Sequence, residues 1–498
     1  MDSIISIKPL LAVLVSLLVI PVLVSTGSRP NVRESWTFIA GTLKFLIVIS
    51  MVPTILDNKV IELTLFKLAP GADIAFRVDA MGMLFALVAS SLYIVTSMYS
   101  IGYMRGLNEH SQTRFVSFFA LAISATIGAA FSANLITLYL FYEILSLATY
   151  PLVTHHQDAN SRISGRRYLT FILGTSIGLV LPAMVWCYWA TGTLEFSAAG
   201  IFGDLVAGGQ FSKPAATVLL LMFVFGFAKA GIMPFHSWLP AAMVAPTPVS
   251  SLLHAVAVVK VGVFSIFRVI TGIFGIEFLA SFELGALVAA IASVTIILSS
   301  CIALSQDEFK RRLAYSTIGQ LSYIVLGAAL LSPKGVTGGM LHITMHAFGK
   351  ITLFFCAGAI FVATGEKYLS RMVGIGRRMP VTMGAFLIGA MSIIGLPPTG
   401  GFISKWYLVL GTLEGDQMIM LFVLLTSSLL NAAYFMPIFY KAFFCTDEEA
   451  MFERKVQEAP LFCVVPLVIT AAVSLILFFV PQPFLNLAEL AVKGFLGG

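Results

Sequence analysis

Charge is what this sequence has least of. Of 498 residues only 11% are charged, 24 acidic and 30 basic. A soluble domain of that length needs far more polar surface, which excludes a water-soluble enzyme or binding module. Cysteine is scarce as well: Cys187, Cys301, Cys356, Cys445 and Cys463 stand singly, without paired spacing. No thiolate set for zinc or an iron–sulfur cluster can be drawn from them. Flavin, nicotinamide and iron–sulfur motifs are missing too, so no cofactor is expected and no redox chemistry by this chain alone. Carboxylates are nearly missing from the apolar runs, where Glu143 is the only one placed well inside.

What fills the chain is hydrophobic. Mean hydropathy is +0.96, and apolar runs long enough to span a bilayer recur from end to end. The expected fold is an all-α polytopic membrane protein of about 14 spans, near 5–25, 34–55, 79–100, 113–132, 135–153, 167–191, 215–235, 247–270, 279–302, 312–331, 336–362, 380–410, 417–441 and 459–485. A barrel would show short alternating strands instead. The first run is not followed by a clean small-residue cleavage site, and another span comes at once, so it reads as a span and not a signal peptide. With the amino terminus outside, 17 basic connection residues fall on the cytoplasmic side and 5 on the other. That bias predicts a multi-pass cell-membrane protein with both termini on the non-cytoplasmic side. Anchoring in the lipid bilayer accounts for the net charge of +6, and no nucleic-acid partner is needed.

Against this background five lysines are costly: Lys44, Lys229, Lys260, Lys350 and Lys405. Each charge at membrane depth costs on the order of several kcal/mol. A file of such groups, with His236, His254, His342 and His346, suits a proton path, since each can hold or release a proton as its neighbours change. Glu143 is the natural partner for Lys229: low dielectric favours a neutral amine, and a carboxylate favours the charged form. His342, His346 and Lys350 follow at i, i+4 and i+8, on one slanting helix line. His236 is a candidate relay toward Lys260 or His254, and Ser250, Ser251, Tyr315, Thr317, Ser322 and Thr344 are candidate water holders. Lys44 has two readings, a residue facing a partner subunit or a snorkelling side chain, and Arg268 reads as snorkelling.

Proline adds a second signal. FGFAKAGIMPFHSWLP (225–240) carries Pro234 and Pro240, and SIIGLPPTGGFISKWYL (392–408) carries Pro397 and Pro398. Each removes a helical hydrogen bond, and loose backbone at membrane depth must face protein or a cavity. Both breaks lie beside a lysine, Lys229 and Lys405, the pattern of a transporter with an internal repeat. The halves are placed at 113–270 and 279–441, preceded by helices in 1–112 and followed by a last helix and tail in 459–498. Trp238 beside the prolines reads as an interfacial anchor.

The segments LYLFYEILSLATY (138–150), FAKAGIMPFHSWLPAAMVAPTPVSSLLHAVAVVKVG (227–262), FKRRLAYSTIGQLSYIVLG (309–327), HAFGKITLFFCAG (346–358) and GLPPTGGFISKW (395–406) carry a family likeness. Over roughly 75–480 the chain resembles the antiporter-like, proton-conducting membrane subunits shared by respiratory complex I, Mrp-type multisubunit cation/proton antiporters and energy-converting membrane-bound hydrogenases. The resemblance implies fourteen helices with two inverted five-helix repeats and discontinuous helices. It also implies a coupled Glu143–Lys229 pair, a following Lys260 preceded by His254, a central Lys350, and Lys405 leading outward. Lysine at 405 departs from relatives with glutamate there, and the tail LAELAVKGFLGG is too short for the lateral helix of the longest complex I relative. A compact member similar to the D-type Mrp protein or its hydrogenase counterpart fits better.

The expected function is therefore proton translocation within a hetero-oligomeric membrane complex, coupled to redox chemistry in a partner such as an NADH-quinone oxidoreductase or hydrogenase, or to an ion gradient. One alternative is the proton branch of a Na+(K+)/H+ antiporter complex, and another is a structural membrane scaffold.

Overall fold

The computed structural model describes residues 2–203, 211–445, 451–452 and 455–495; Arg454, one of the 17 basic residues assigned to the cytoplasmic side, and tail residues 496–498 lie outside it. Lipid offers the backbone no hydrogen-bond partner, so apolar runs close their bonds within helices. The first are α1 (Lys8–Ser25), α2 (Pro30–Ile49), α3 (Ala80–Gly106), α4 (Gln112–Ala130) and α5 (Leu135–Val153). Then come α6 (Ala159–Thr191), α7 (Lys213–Gly226), α8 (Thr247–Phe274), α9 (Leu284–Ser305), α10 (Phe309–Ala329) and α11 (Pro333–Thr364). The last are α12 (Pro380–Ile394), α13 (Gly400–Glu414), α14 (Met418–Phe443), α15 (Leu461–Phe479) and α16 (Gln482–Phe495). Among the described residues 11 helices are long and apolar enough to cross a membrane, with α7 and α12 as shorter apolar helices.

One feature departs from the sequence reading. The chain is mostly but not wholly helical: β1 (Ser3–Ile5) pairs in parallel with β2 (Val60–Phe66), which pairs antiparallel with β3 (Ile74–Val78). VIELTLF has the β-branched alternation of a strand, and a cross-strand Arg77–Glu62 ion pair of 2.6 Å ties it to β3. The run 380–410 is two helices separated at 395–399, where the proline pair placed the second break.

Burial sorts the helices into centre and rim. The apolar window of α8 is 100% buried and that of α11 is 78% buried, against 28% for α14. The centre is thus where α8 and α11 meet. Arg268, near the end of α8, does not snorkel. It is 3% exposed and forks onto Asp79, the N-cap of α3, at 2.5 and 2.6 Å. A planar guanidinium satisfies a carboxylate bidentately, which keeps both charges tolerable away from bulk water.

The basic connections gather at one end. Arg33 meets Gln112 and Thr113, Arg105 meets Glu34, and Arg114 reaches the carbonyl of His155. A polar cleft at that end is lined by Arg167, Lys310, Arg311 and Lys367.

Candidate functional site

The first break begins where α7 stops at Gly226. A short 3-10 turn, Ala228–Ala230, follows, Gly231 takes φ +71°, and helix resumes only at Trp238. Helix ends leave orphan backbone groups that something must satisfy. Trp238 Nε1 donates to the Ala228 carbonyl at 2.9 Å, the Lys229 N–H donates to Tyr142 Oη at 3.2 Å, and the Met233 N–H donates to Thr295 Oγ1 at 3.3 Å. Trp238 is 0% exposed, so it staples the break and does not anchor at an interface. The turn lies directly on α8: a Cβ at Gly262 would stand 2.2 Å from the Ala230 nitrogen. Only glycine permits that approach.

Lys229 is fully buried at this break. Its Nζ donates to the Tyr142 carbonyl and to Ser146 Oγ, both at 2.6 Å, and lies 3.1 Å from the centre of the Tyr142 ring. Among the described residues no ion pair joins it to Glu143, so the pairing expected from the sequence acts at a distance and not as a static contact. Both Glu143 carboxylate oxygens are buried without a hydrogen-bond partner, and the charge acts on Lys229 through space. One residue explains the difference: adjacent positions on a helix point about 100° apart, so Tyr142 and Ser146 face the break while Glu143 does not.

At the centre α8 meets α11. Lys260 Nζ lies 2.8 Å from His346 Nδ1, a contact joining the two proposed halves. The His346 ring stacks on His342 with centroids 5.7 Å apart. His342 is held by Ser404 at 2.9 Å and Gln320 at 3.1 Å, and stacks on Tyr323 at 5.4 Å. Lys405 sits over the other side of this network, 4.7 Å from the Tyr323 ring centre. Lys350 turns away from the histidine stack: its Nζ donates to Ser316 Oγ at 2.7 Å, and Ser316 in turn accepts from Tyr434 at 2.9 Å.

The second break mirrors the first in its materials. Gly395 takes φ +88°, and a Cβ there would meet the Lys405 side chain at 2.6 Å. Lys405 Nζ donates to the carbonyls of Ile393 and Ile394 at 2.8 and 3.0 Å. It thereby caps the C-terminal end of α12, where orphan carbonyls attract a cation.

Three expected residues take other places. His236 is half-buried, with Nδ1 3.3 Å from the Pro234 carbonyl and its ring 6.3 Å from that of Tyr315. Among the described residues no hydrogen bond joins it to Lys260 or His254, and none joins Lys229 to Lys260. His254 is fully buried against Phe354, with both ring nitrogens unpartnered and Lys350 within electrostatic reach. Lys44 is 0% exposed with no partner for Nζ, so it does not snorkel.

Of the expected water holders, Ser251, Thr317 and Ser322 bond back to their own helices. The serines that do hold lysines are Ser146, Ser316 and Ser428, the last 3.2 Å from Lys405. The i, i+4 spacing of Tyr142 and Ser146 was the one available signal for the first of these.

The model of the family described as "NADH:quinone oxidoreductase/Mrp antiporter, TM" matches residues 132–431, which contain both breaks and every buried lysine but Lys44. NADH-quinone oxidoreductase subunit N of Desulforudis audaxviator is 33% identical over 438 residues, 86% of this chain and 85% of that one. Other relatives are longer, and the chain spans about half of NAD(P)H-quinone oxidoreductase chain 5 proteins. In fold it matches a chain of the Mrp complex of Dietzia sp. DQ12-45-1b (TM-score 0.86, 22% identity, 98% of this chain and 97% of that one). A chain of an archaeal membrane-bound sulfane sulfur reductase, a respiratory membrane complex, matches equally (TM-score 0.86, 23% identity, 98% and 97%). The chain belongs to the NADH:quinone oxidoreductase/Mrp antiporter transmembrane family.

Proposed function

We propose that this chain is a proton-translocating subunit of a multisubunit energy-converting membrane complex. The observation that carries the reading is the Lys260–His346–His342–Tyr323–Lys405 array, fully or almost fully buried, crossing from α8 to the second broken helix. Protons enter from the cytoplasm, load at Lys229, move to the central lysines and leave near Lys405. Among the described residues no hydrogen bond joins Lys229 to Lys260, so water carries the proton between them. The driving energy comes from partner subunits, as redox chemistry or as a gradient of Na+ or K+. Fourteen spans arranged as two inverted repeats, each with one break, accommodate this path.

Its test is His342→Ala in the reconstituted assembly. Proton flux is expected to fall roughly tenfold, short of the full contribution of a positioned proton-transfer group because Lys260 and His346 stand nearby. Unchanged flux at normal abundance would refute the assignment. Sidedness has its own check. Reporter fusions at Arg166 and Arg311 should read as cytoplasmic and one at Lys213 as external; the opposite pattern reverses the topology.

A further inference from the structure

Outside the membrane path, two connections at the basic end bring together four donors that proton transfer does not use. The turn between α3 and α4 carries Glu109 and His110, and the turn between α5 and α6 carries His155 and His156. Glu109 Oε2 is 3.8 Å from His110 Nδ1, 3.7 Å from His155 Nε2 and 3.6 Å from His156 Nδ1. The donor atoms of Glu109, His110 and His156 all lie within 4.8 Å of one another.

His155 supplies an independent observation. Its side chain is 0% exposed, yet neither ring nitrogen has a hydrogen-bond partner, and Nε2 is aimed at the shared carboxylate. A buried polar ring without a partner is costly unless something else occupies its lone pair. The turn is also braced from behind. His110 Nε2 lies 3.1 Å from the His155 carbonyl, and Arg114 donates to the same oxygen at 2.8 Å. With Nε2–H donating to that carbonyl, the lone pair of His110 sits on Nδ1, facing Glu109. This is the outer hydrogen bond that fixes the tautomer of a ligating histidine.

We infer that Glu109, His110, His155 and His156 form a binding site for a divalent transition-metal ion, with Zn2+ as its best-matched occupant. Three imidazoles and one carboxylate suit zinc, whereas Mg2+ and Ca2+ take all-oxygen shells. Bonds of about 2.0–2.2 Å in a tetrahedron set ligand atoms about 3.3 Å apart. The observed separations from Glu109 therefore need contraction by a few tenths of an ångström, and those between the imidazoles, within 4.8 Å for His110 and His156, by up to about 1.5 Å, taken up by rotation of these partly exposed rings. With four protein donors and no open position, the ion is a clamp and not a catalyst. It ties the α3–α4 turn to the α5–α6 turn at the rim of the cleft that Glu109 and His156 share with Lys310 and Tyr315. Helix α5, which carries Tyr142, Glu143 and Ser146, is thereby held at its end.

The test uses the full chain within its purified assembly, stripped with a chelator and titrated with Zn2+ and, separately, Co2+. One Zn2+ per chain is expected, displacing Co2+ whose intense visible bands report tetrahedral coordination. Glu109→Gln and the double variant His110→Ala/His156→Ala should each weaken Zn2+ binding by roughly tenfold or more. These positions are partly exposed, so the variants should unfold at the same temperature as the wild type in chelator. Only the wild type should then be stabilised by added Zn2+. Absence of saturable Zn2+ binding in the wild type, or equal binding by the double variant, overturns the site.

Discussion

Replacing Lys260 or His346 by alanine is expected to lower the initial proton flux of the reconstituted assembly by roughly 10²-fold each, the smaller end of what a positioned proton-transfer group supplies. Replacing both should cost little more than replacing one. The reason is geometric: Lys260 Nζ and His346 Nδ1 are 2.8 Å apart, and the remaining His346 nitrogen, Nε2, has no partner of its own. When the lysine is protonated it donates to Nδ1, so a neutral ring carries its hydrogen on Nε2 and passes a proton by exchanging which nitrogen bears it. Two groups in series through one contact fail together, and their losses do not multiply. Two independent routes would give the product of the single losses. A fourfold comparison of wild type, Lys260→Ala, His346→Ala and the double variant decides between them.

The second large effect is expected at the first break. Glu143→Gln should slow proton loading, because a carboxylate near a buried lysine stabilises its protonated form. Glu143→Asp keeps the charge and should retain part of the flux. Ser146→Ala removes one of the two close oxygens that hold Nζ while leaving the Tyr142 carbonyl, so it should weaken transport less than Lys229→Ala. A static ion pair would order these variants differently, since the structure has no Glu143–Lys229 contact to lose. Rates should be read at equal abundance, so that assembly defects are not counted as transport defects.

Much of this site was legible because charge inside an apolar run is rare. Lys229, Lys260, Lys350 and Lys405 announced themselves, as did the prolines and glycines beside two of them. Their partners did not. Ser146, Ser316 and Ser428 look like any serine in a membrane helix, where the hydroxyl usually bonds back to its own turn. Ser146 meets a lysine 83 positions away, and Ser316 meets one 34 away. No local pattern carries such distances. For Glu143 only the direction was hidden: which side chain of its helix meets Nζ depends on a 100° rotation, and Tyr142 and Ser146 take that place. The small sheet escaped because VIELTLF lies between spans and reads as a connection. Trp238 escaped because a tryptophan near prolines has the composition of an interface, and only the broken turn above it reveals an orphan carbonyl at Ala228. The Glu109–His156 cluster combines two short pairs, each ordinary alone, brought together by the folding of α4 and α5.

The central claim is that a buried lysine gives up and regains its proton during transport. Arginine keeps a positive charge at position 229 but holds its proton at any working pH. The most direct measurement is therefore the initial proton flux in proteoliposomes containing the intact assembly with Lys229→Arg, corrected for protein amount. The account predicts a rate below about a tenth of wild type, close to that of Lys229→Ala. Flux near the wild-type rate would mean that residue 229 serves only as a fixed charge, and the path would have to begin elsewhere.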